Sequence, residues 1–265
     1  MPGLQKRSSA GYTAVMNTIA SAIESAAAEL ARTSDTLSFH GKVALTYNPL
    51  IYAWAPHAEY IRRFAGAPRD ILFVGMNPGP WGMAQTGVPF GEISFVRDWM
   101  GIEAPVQPPA RSHPKKPIDG FHCNRSEVSG RRLWALMQER FKTPEHFFSR
   151  HYVANYCPLV FMEEGGKNLT PDKLPKDERE ALFSLCDSHL LKIIDALAPR
   201  YIIGIGKFAA DKIRGAYKSQ HIDTAYKNGP LIESILHPSP ASPQANRGWA
   251  EQATAKLIQI GAWSN

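Results

Sequence analysis

The apolar run DILFVGM, Asp70–Met76, leads directly into NPGPWGMAQTGVPFG, Asn77–Gly91. An unbroken apolar stretch bounded by Gly and Pro reads as a strand buried on both faces. The segment after it is too rich in Gly and Pro to propagate helix or strand, so it is a shaped loop. A strand covered on both faces belongs in a parallel sheet with helices packed against it. The rest of the chain repeats that alternation. HYVANYC, His151–Cys157, ends at Pro158; Tyr201–Ile205 precedes a helix over Lys207–Tyr217; Leu231–Leu236 precedes HPSPASPQANRGW, His237–Trp249. Helical patterns are expected over 12–32, Tyr52–Phe64, Glu92–Met100, Arg131–Phe141, Lys176–Ala198 and Gln244–Ile260. The predicted fold class is α/β: three layers, α/β/α, around a central, mostly parallel four-stranded sheet. The 265 residues suit a single domain over 1–265, with 1–40 as a peripheral helical extension.

Several function classes drop out early. No apolar run reaches membrane-span length, so no membrane partner is expected. Lys6 and Arg7 are followed by Glu24 and Glu29, which fits an amphipathic helix rather than a signal peptide. Cys123, Cys157 and Cys186 have no CxxC or metal-like spacing. They read as reduced thiols of an intracellular protein, in the cytoplasm (nucleoid) of a bacterium or the nucleus of a eukaryote. Cys186 lies on the apolar stripe Leu182, Leu185, Leu190, Ile193, Ile194, Leu197 and is read as core. Neither metal nor cofactor is expected. A net charge of +6 is compatible with a polyanionic partner. Residues 103–128 form a polar, Pro-rich stretch carrying Arg111, His113, Lys115 and Lys116; so long a loop is functional or mobile.

In parallel α/β sheets, sites form beyond the carboxyl ends of the strands. Asn77, Asn155 and His237 each follow or end a predicted strand, so three distant segments place polar groups around one crevice. An amide has no useful basicity, so Asn77 can orient a water or ligand, or support an Asx-type turn. Asn155 can pair donor and acceptor with the edge of a base, or cap the strand end. His237 can stabilise charge on a leaving group, or be structural. Phe90 can stack on a planar ring or pack in the core. Gly79, Gly82, Gly87 and Gly91 let backbone approach a ligand, or simply fold a tight turn. Residues 238–249 read as a helix entry with Ser242 as N-cap and Pro243 at N1, which also suits a phosphate.

GMNPGPWGMAQTGVPFG, Gly75–Gly91, and HPSPASPQANRGW, His237–Trp249, resemble the single-strand-selective monofunctional uracil-DNA glycosylase family. YNPLIYAWAPH, Tyr47–His57, and NYCPL, Asn155–Leu159, are similar to it as well, so the resemblance spans roughly Tyr47–Ala262. It implies a DNA-repair glycosylase that hydrolyses the N-glycosidic bond of uracil without lyase activity. C5-oxidised uracils such as 5-hydroxymethyluracil are further expected substrates, in single- and double-stranded DNA, with the protein acting as a monomer. By position, Asn77 is implied to place the attacking water and His237 to stabilise the departing base. Asn155 would read the pyrimidine edge and Phe90 would stack on the flipped base. Met76, Gly79 and Met83 would shape the pocket. Pro238, Ser239, Pro240, Ala241, Ser242, Pro243, Gln244, Asn246 and Arg247 would form the DNA-binding wedge. Some family members carry a large basic residue where this chain has Ala241.

Two other readings compete. Gly204, Gly206 and Ala209 spell GxGxxA after a strand, with Asp223 at a Rossmann-like interval. That nucleotide-cofactor pattern falls on the third strand rather than the first, which weakens it. A non-catalytic DNA-damage binder could use the same pocket, although intact Asn77 and His237 favour catalysis.

Overall fold

The computed structural model describes residues 9–220 and 229–264. The chain begins with helix α1 (Ser9–Asp35), strand β1 (Leu45–Tyr47), and helices α2 (Pro49–Tyr52) and α3 (Trp54–Phe64). Strand β2 (Ile71–Gly75) follows, then α4 (Met83–Thr86), α5 (Val128–Phe141) and α6 (Pro144–Phe148). Next come strands β3 (His151–Asn155), β4 (Val160–Met162) and β5 (Asn168–Leu169), then α7 (Lys176–Leu197), β6 (Tyr201–Ile205) and α8 (Lys207–Gln220). Strand β7 (Leu231–Ile235) and helix α9 (Trp249–Gln259) complete the order.

Strands β3, β2, β6 and β7 form a four-stranded sheet in that order, and all three pairings are parallel. Helices flank it, as the α/β reading requires. Every residue of β2 is buried, which is why its sequence shows no polar alternation. The register sets Gly75 beside Asn155 and Ile205 beside Ile235. All four carboxyl ends therefore lie along one edge. Tyr156 N–H donates to Gly75 O and Cys157 N–H to Met76 O, which carries the β2–β3 pairing past the strands' ends.

Four features differ from the sequence reading. A second, antiparallel sheet, β1–β4–β5, stands beside the first. Its strands span 3, 3 and 2 residues, too short for alternation to register. Helix α1 is not peripheral: Ile23 and Ala27 join the main core, while Leu30 and Ala31 pack with Leu50 and Met83. The helix expected over Glu92–Met100 is present from Ile93 but widens to π geometry over Phe95–Trp99, with Met100 N–H donating to Phe95 O. The last helix does not start at Gln244. A 3₁₀ turn over Ala245–Arg247 is broken by Gly248 at φ +100°, and α9 begins at Trp249. Ser242 Oγ accepts from Ala245 N–H, so it caps that short turn and not α9.

Candidate active site

The shared edge of the parallel sheet opens into a cleft of about 480 Å³. Met76, Asn77, Gly79, Met83, Phe90, Asn155 and His237 all line it, together with Ser239 and Pro240. The three segments expected to converge therefore do.

Asn77 is held by its amide nitrogen, which donates to Leu159 O at 3.1 Å and to Pro78 O at 3.3 Å. Its Oδ1 makes no hydrogen bond among the described residues. Asn155 has the opposite arrangement. Its Nδ2 meets only the Met83 thioether, at 3.3 Å. Its Oδ1 is buried without a partner among the described residues. A buried acceptor left open is uncommon, and here it faces a cleft from which a ligand or a water can satisfy it.

Phe90 sits at φ +55°, a left-handed conformation that costs a side-chain-bearing residue about 1–2 kcal/mol. Its surroundings hold it there. Phe90 O accepts from Trp134 Nε1 at 3.1 Å and from Glu92 N at 2.7 Å. A Cβ on Gly130 would lie 2.0 Å from that carbonyl. A Cβ on Gly75 would lie 2.4 Å from Phe90 Cε2 and 2.5 Å from Asn155 Oδ1. Two glycines thus admit the ring and the amide side by side, and the strained backbone aims the ring into the cleft. Phe90 therefore does both things open to it, packing against the main core and lining the cleft.

His237 lies two residues past β7, its ring 6.2 Å from that of Phe90 and tilted by 41°. Burial pushes its pKa below the ordinary imidazole value, so the ring is neutral near pH 7. Gly206, at φ +94°, makes room: a Cβ there would sit 3.2 Å from His237 Cβ. Gly204 is explained by packing too, since a Cβ on it would come within 2.4 Å of Ala210 N in α8. The glycines of the nucleotide-cofactor pattern thereby serve helix packing and His237. Asp223 lies outside the described residues.

The segment after His237 is an ordered projection. Pro238 and Ala245 are buried, while Pro240, Ala241, Pro243, Gln244, Asn246 and Arg247 are exposed. Arg132 of α5 ties it down from beneath, donating to Pro238 O, Ser239 O and Asn246 Oδ1. Asn246 Nδ2 returns to Pro240 O at 3.0 Å. Of its residues, Ser239 and Pro240 reach the cleft and the others stand outside it.

The model of the uracil DNA glycosylase superfamily matches residues 64–259, which include every element of this site. The chain belongs to that superfamily. Single-strand selective monofunctional uracil DNA glycosylases of Bos taurus and Mus musculus are each 44% identical to it over 225 residues. The match takes in 85% of this chain and 80% of the bovine and 78% of the mouse protein. The crystal structure of wild-type Pedobacter heparinus SMUG2 shares the fold, with TM-score 0.60 at 17% identity over 90% of this chain and 99% of that one.

In this uracil DNA glycosylase superfamily member, four residues around the cleft had escaped the sequence reading. Glu127 lines it beside Gly79 and Gly82, and its carboxyl is raised above the usual carboxylate range by burial. Asn168 adds a second buried, unpartnered Oδ1. Trp81 forms part of the lining. Arg132 positions the projection. Trp81 lies within the Gly75–Gly91 motif but was given no role there; the other three lie in no recognisable motif, and Glu127 enters as the N-cap of α5, which starts at Val128, earlier than expected.

Proposed function

We propose that this chain is a monofunctional uracil-DNA glycosylase that flips its target base into the cleft and hydrolyses the bond joining it to deoxyribose. The observation that carries the reading is the open Oδ1 of Asn155, buried beside the Phe90 ring and within one cleft with Asn77 and His237.

A planar pyrimidine stacked on Phe90 would offer its edge to Asn155. Oδ1 accepts the N3–H and Nδ2 donates to the O4 carbonyl, leaving a neighbouring sulfur for a better acceptor. Cleavage of the C1′–N1 bond leaves the electron pair on the base and positive charge on the sugar. The neutral His237 ring donates one N–H to the base oxygen where that negative charge develops. Asn77 Oδ1 accepts a hydrogen bond from a water and holds it for attack on C1′, supplying orientation rather than basicity. The water oxygen bonds to C1′, its proton is released, and the products are free base and an abasic site. Among the described residues no lysine lines the cleft, which fits a water nucleophile over an imine-forming lyase.

The proposal extends to C5-oxidised uracils such as 5-hydroxymethyluracil, whose substituent would face the side of the cleft where Gly79 brings no side chain and the Glu127 carboxyl stands in its place. Glu127 Oε2 occupies the place a Cβ would take, 2.4 Å from it. Gly79→Ala is therefore expected to displace the loop or the carboxyl and to lower release of both bases by about tenfold to a hundredfold. Competition with C5-substituted oligonucleotides checks the range; refusal of every such analogue while uracil is processed would remove this part of the proposal.

The deciding experiment uses labelled oligonucleotides with one uracil, single-stranded and paired, incubated in EDTA with and without hot alkali afterwards. Strand cleavage only after alkali is the expected result. Tight binding without cleavage would favour a damage-binding protein instead.

A further inference from the structure

The long basic loop plays no part in the chemistry above, yet it is not loose. Gln85 of α4 is fully buried and pins it from below. Its Nε2 donates to Pro80 O and Pro117 O, both at 2.9 Å. Its Oε1 accepts from Asp119 N at 2.9 Å and Gly120 N at 3.1 Å. One glutamine thus fastens the loop to the segment that carries Asn77. Tyr47 OH donates to Lys116 O at 2.7 Å and accepts from His113 N at 2.6 Å. Ser126 Oγ donates to Glu92 Oε2 at 3.1 Å, which fixes the far end.

That scaffold brings two cations over one indole. Lys116 Nζ lies 4.4 Å from the centre of a Trp81 ring, and Arg125 Cζ lies 5.2 Å from it. Neither forms a salt bridge among the described residues. Most other arginines and lysines that rest on rings here stand alone on theirs. Two like charges gathered on one ring, neither in a salt bridge among the described residues, repel each other and favour an anion between them. Trp81 itself lines the cleft, and Ser126, next to Arg125, lines it as well. The anion in question is therefore bound to whatever enters the cleft.

We propose that Lys116 and Arg125, held together by Trp81, clamp the phosphodiester backbone of the strand beside the extruded nucleotide. The clamp rests on the proposed function, since it takes the strand whose base the cleft receives. It is separate from the Pro238–Arg247 projection and contacts phosphate rather than bases. Backbone contacts of this kind set register and affinity without reading sequence. The indole keeps both cations in place before binding, so little side-chain ordering is left for the encounter.

The test is salt-dependent binding of a single-stranded oligonucleotide that contains no uracil, followed by fluorescence anisotropy. The variant is Lys116→Gln/Arg125→Gln. Its control is Arg150→Gln/Arg200→Gln, the same charge change at the opposite, amino-terminal end of β3 and β6. Losing two phosphate contacts is expected to make the slope of log K against log salt shallower by about 1.4, and binding about 25-fold weaker at 0.1 M salt. The control is expected to move the slope by far less. Trp81→Ala, which leaves both cations but removes their platform, is expected to weaken binding several-fold, and Trp81→Phe to restore most of it. Slopes equal in the cleft variant and the control overturn the clamp. Uracil release by the wild type, measured on the same preparation, keeps the two readings apart. Release with an unaltered slope overturns the clamp alone; an altered slope without release supports the clamp and overturns the glycosylase activity.

Discussion

His237→Ala is expected to slow uracil release by about 10²–10³-fold under single-turnover conditions, with DNA affinity retained. The size follows from where the ring sits. It lies partly buried beside Phe90, and no group among the described residues hydrogen-bonds to it, so an N–H is available for a ligand. In that low-dielectric setting a fixed donor gains strength as charge moves onto the base, which is a transition-state effect and leaves ground-state binding nearly untouched. Because burial keeps the ring neutral, the wild-type rate is expected to stay level from pH 8 down past 6.5, the ordinary imidazole value. A rate that fell with a midpoint near or above that value would point to a different role for the ring. Asn77→Ala removes only the water's orientation, yet a loss of about a hundredfold is expected, since a misplaced nucleophile forfeits most of its effective concentration. Near-wild-type rates in both variants would overturn the assignment of the site.

The parts of this site that lay open in the sequence are those where backbone chemistry and position coincide. Strand β2 is apolar at every position because both of its faces are covered, and the Gly/Pro-rich segment after it admits no regular structure. Asn77, Asn155 and His237 were legible because all three sit where parallel strands end, and parallel topology alone makes such ends adjacent. Residues that act from elsewhere were not legible. Glu127 meets Gly79 only through tertiary packing, and Arg132 reaches the 238–246 segment from a different helix, more than a hundred positions away in sequence. The 3₁₀ turn at Ala245–Arg247 was hidden because Pro243 and Ser242 mimic a helix entry; what decides the true start of α9 is Gly248 in the left-handed region, a conformational fact its identity permits but does not require. The role of α1 was hidden for a different reason: an Ala-rich stripe of Ile23, Ala27 and Leu30 looks weak until α7 and α2 are there to cover it.

Stability is expected to fall steeply between about pH 6 and pH 4.5, because the fold holds several histidines neutral. Burial lowers His57 and His151 to about 4 and His189 to about 3. The contacts explain why. His151 has both nitrogens engaged in the neutral form: Nε2 accepts from Trp263 Nε1 at 3.0 Å, so Nδ1 carries the proton given to Phe147 O at 2.8 Å. A second proton would face the indole N–H. His57 Nδ1 is joined to Gly87 O at 2.8 Å in a site closed to water. Both nitrogens of His189 are buried with no partner among the described residues. In the unfolded chain each ring titrates near 6.5, so below that value the unfolded state binds up to three more protons than the folded one. Their contribution is intact above pH 6.5 and is lost as pH falls toward 4, at up to about 4 kcal/mol per pH unit. Glu127 and Asp187 work against this, since burial raises both carboxyls and lets the folded state take up protons first. The net slope is therefore expected between about 1 and 4 kcal/mol per pH unit. Urea midpoints at pH 7.5, 6.5, 5.5 and 4.5 measure it. His189→Leu isolates one ring: it deletes a polar group that satisfies no hydrogen bond, so it should cost little at pH 7.5 and flatten the acid slope by about 1.4 kcal/mol per pH unit. Midpoints that hold level to pH 5 would mean that the buried rings accept protons in the folded state, and the neutral His237 on which the catalytic argument depends would have to be re-examined by titrating its ring directly.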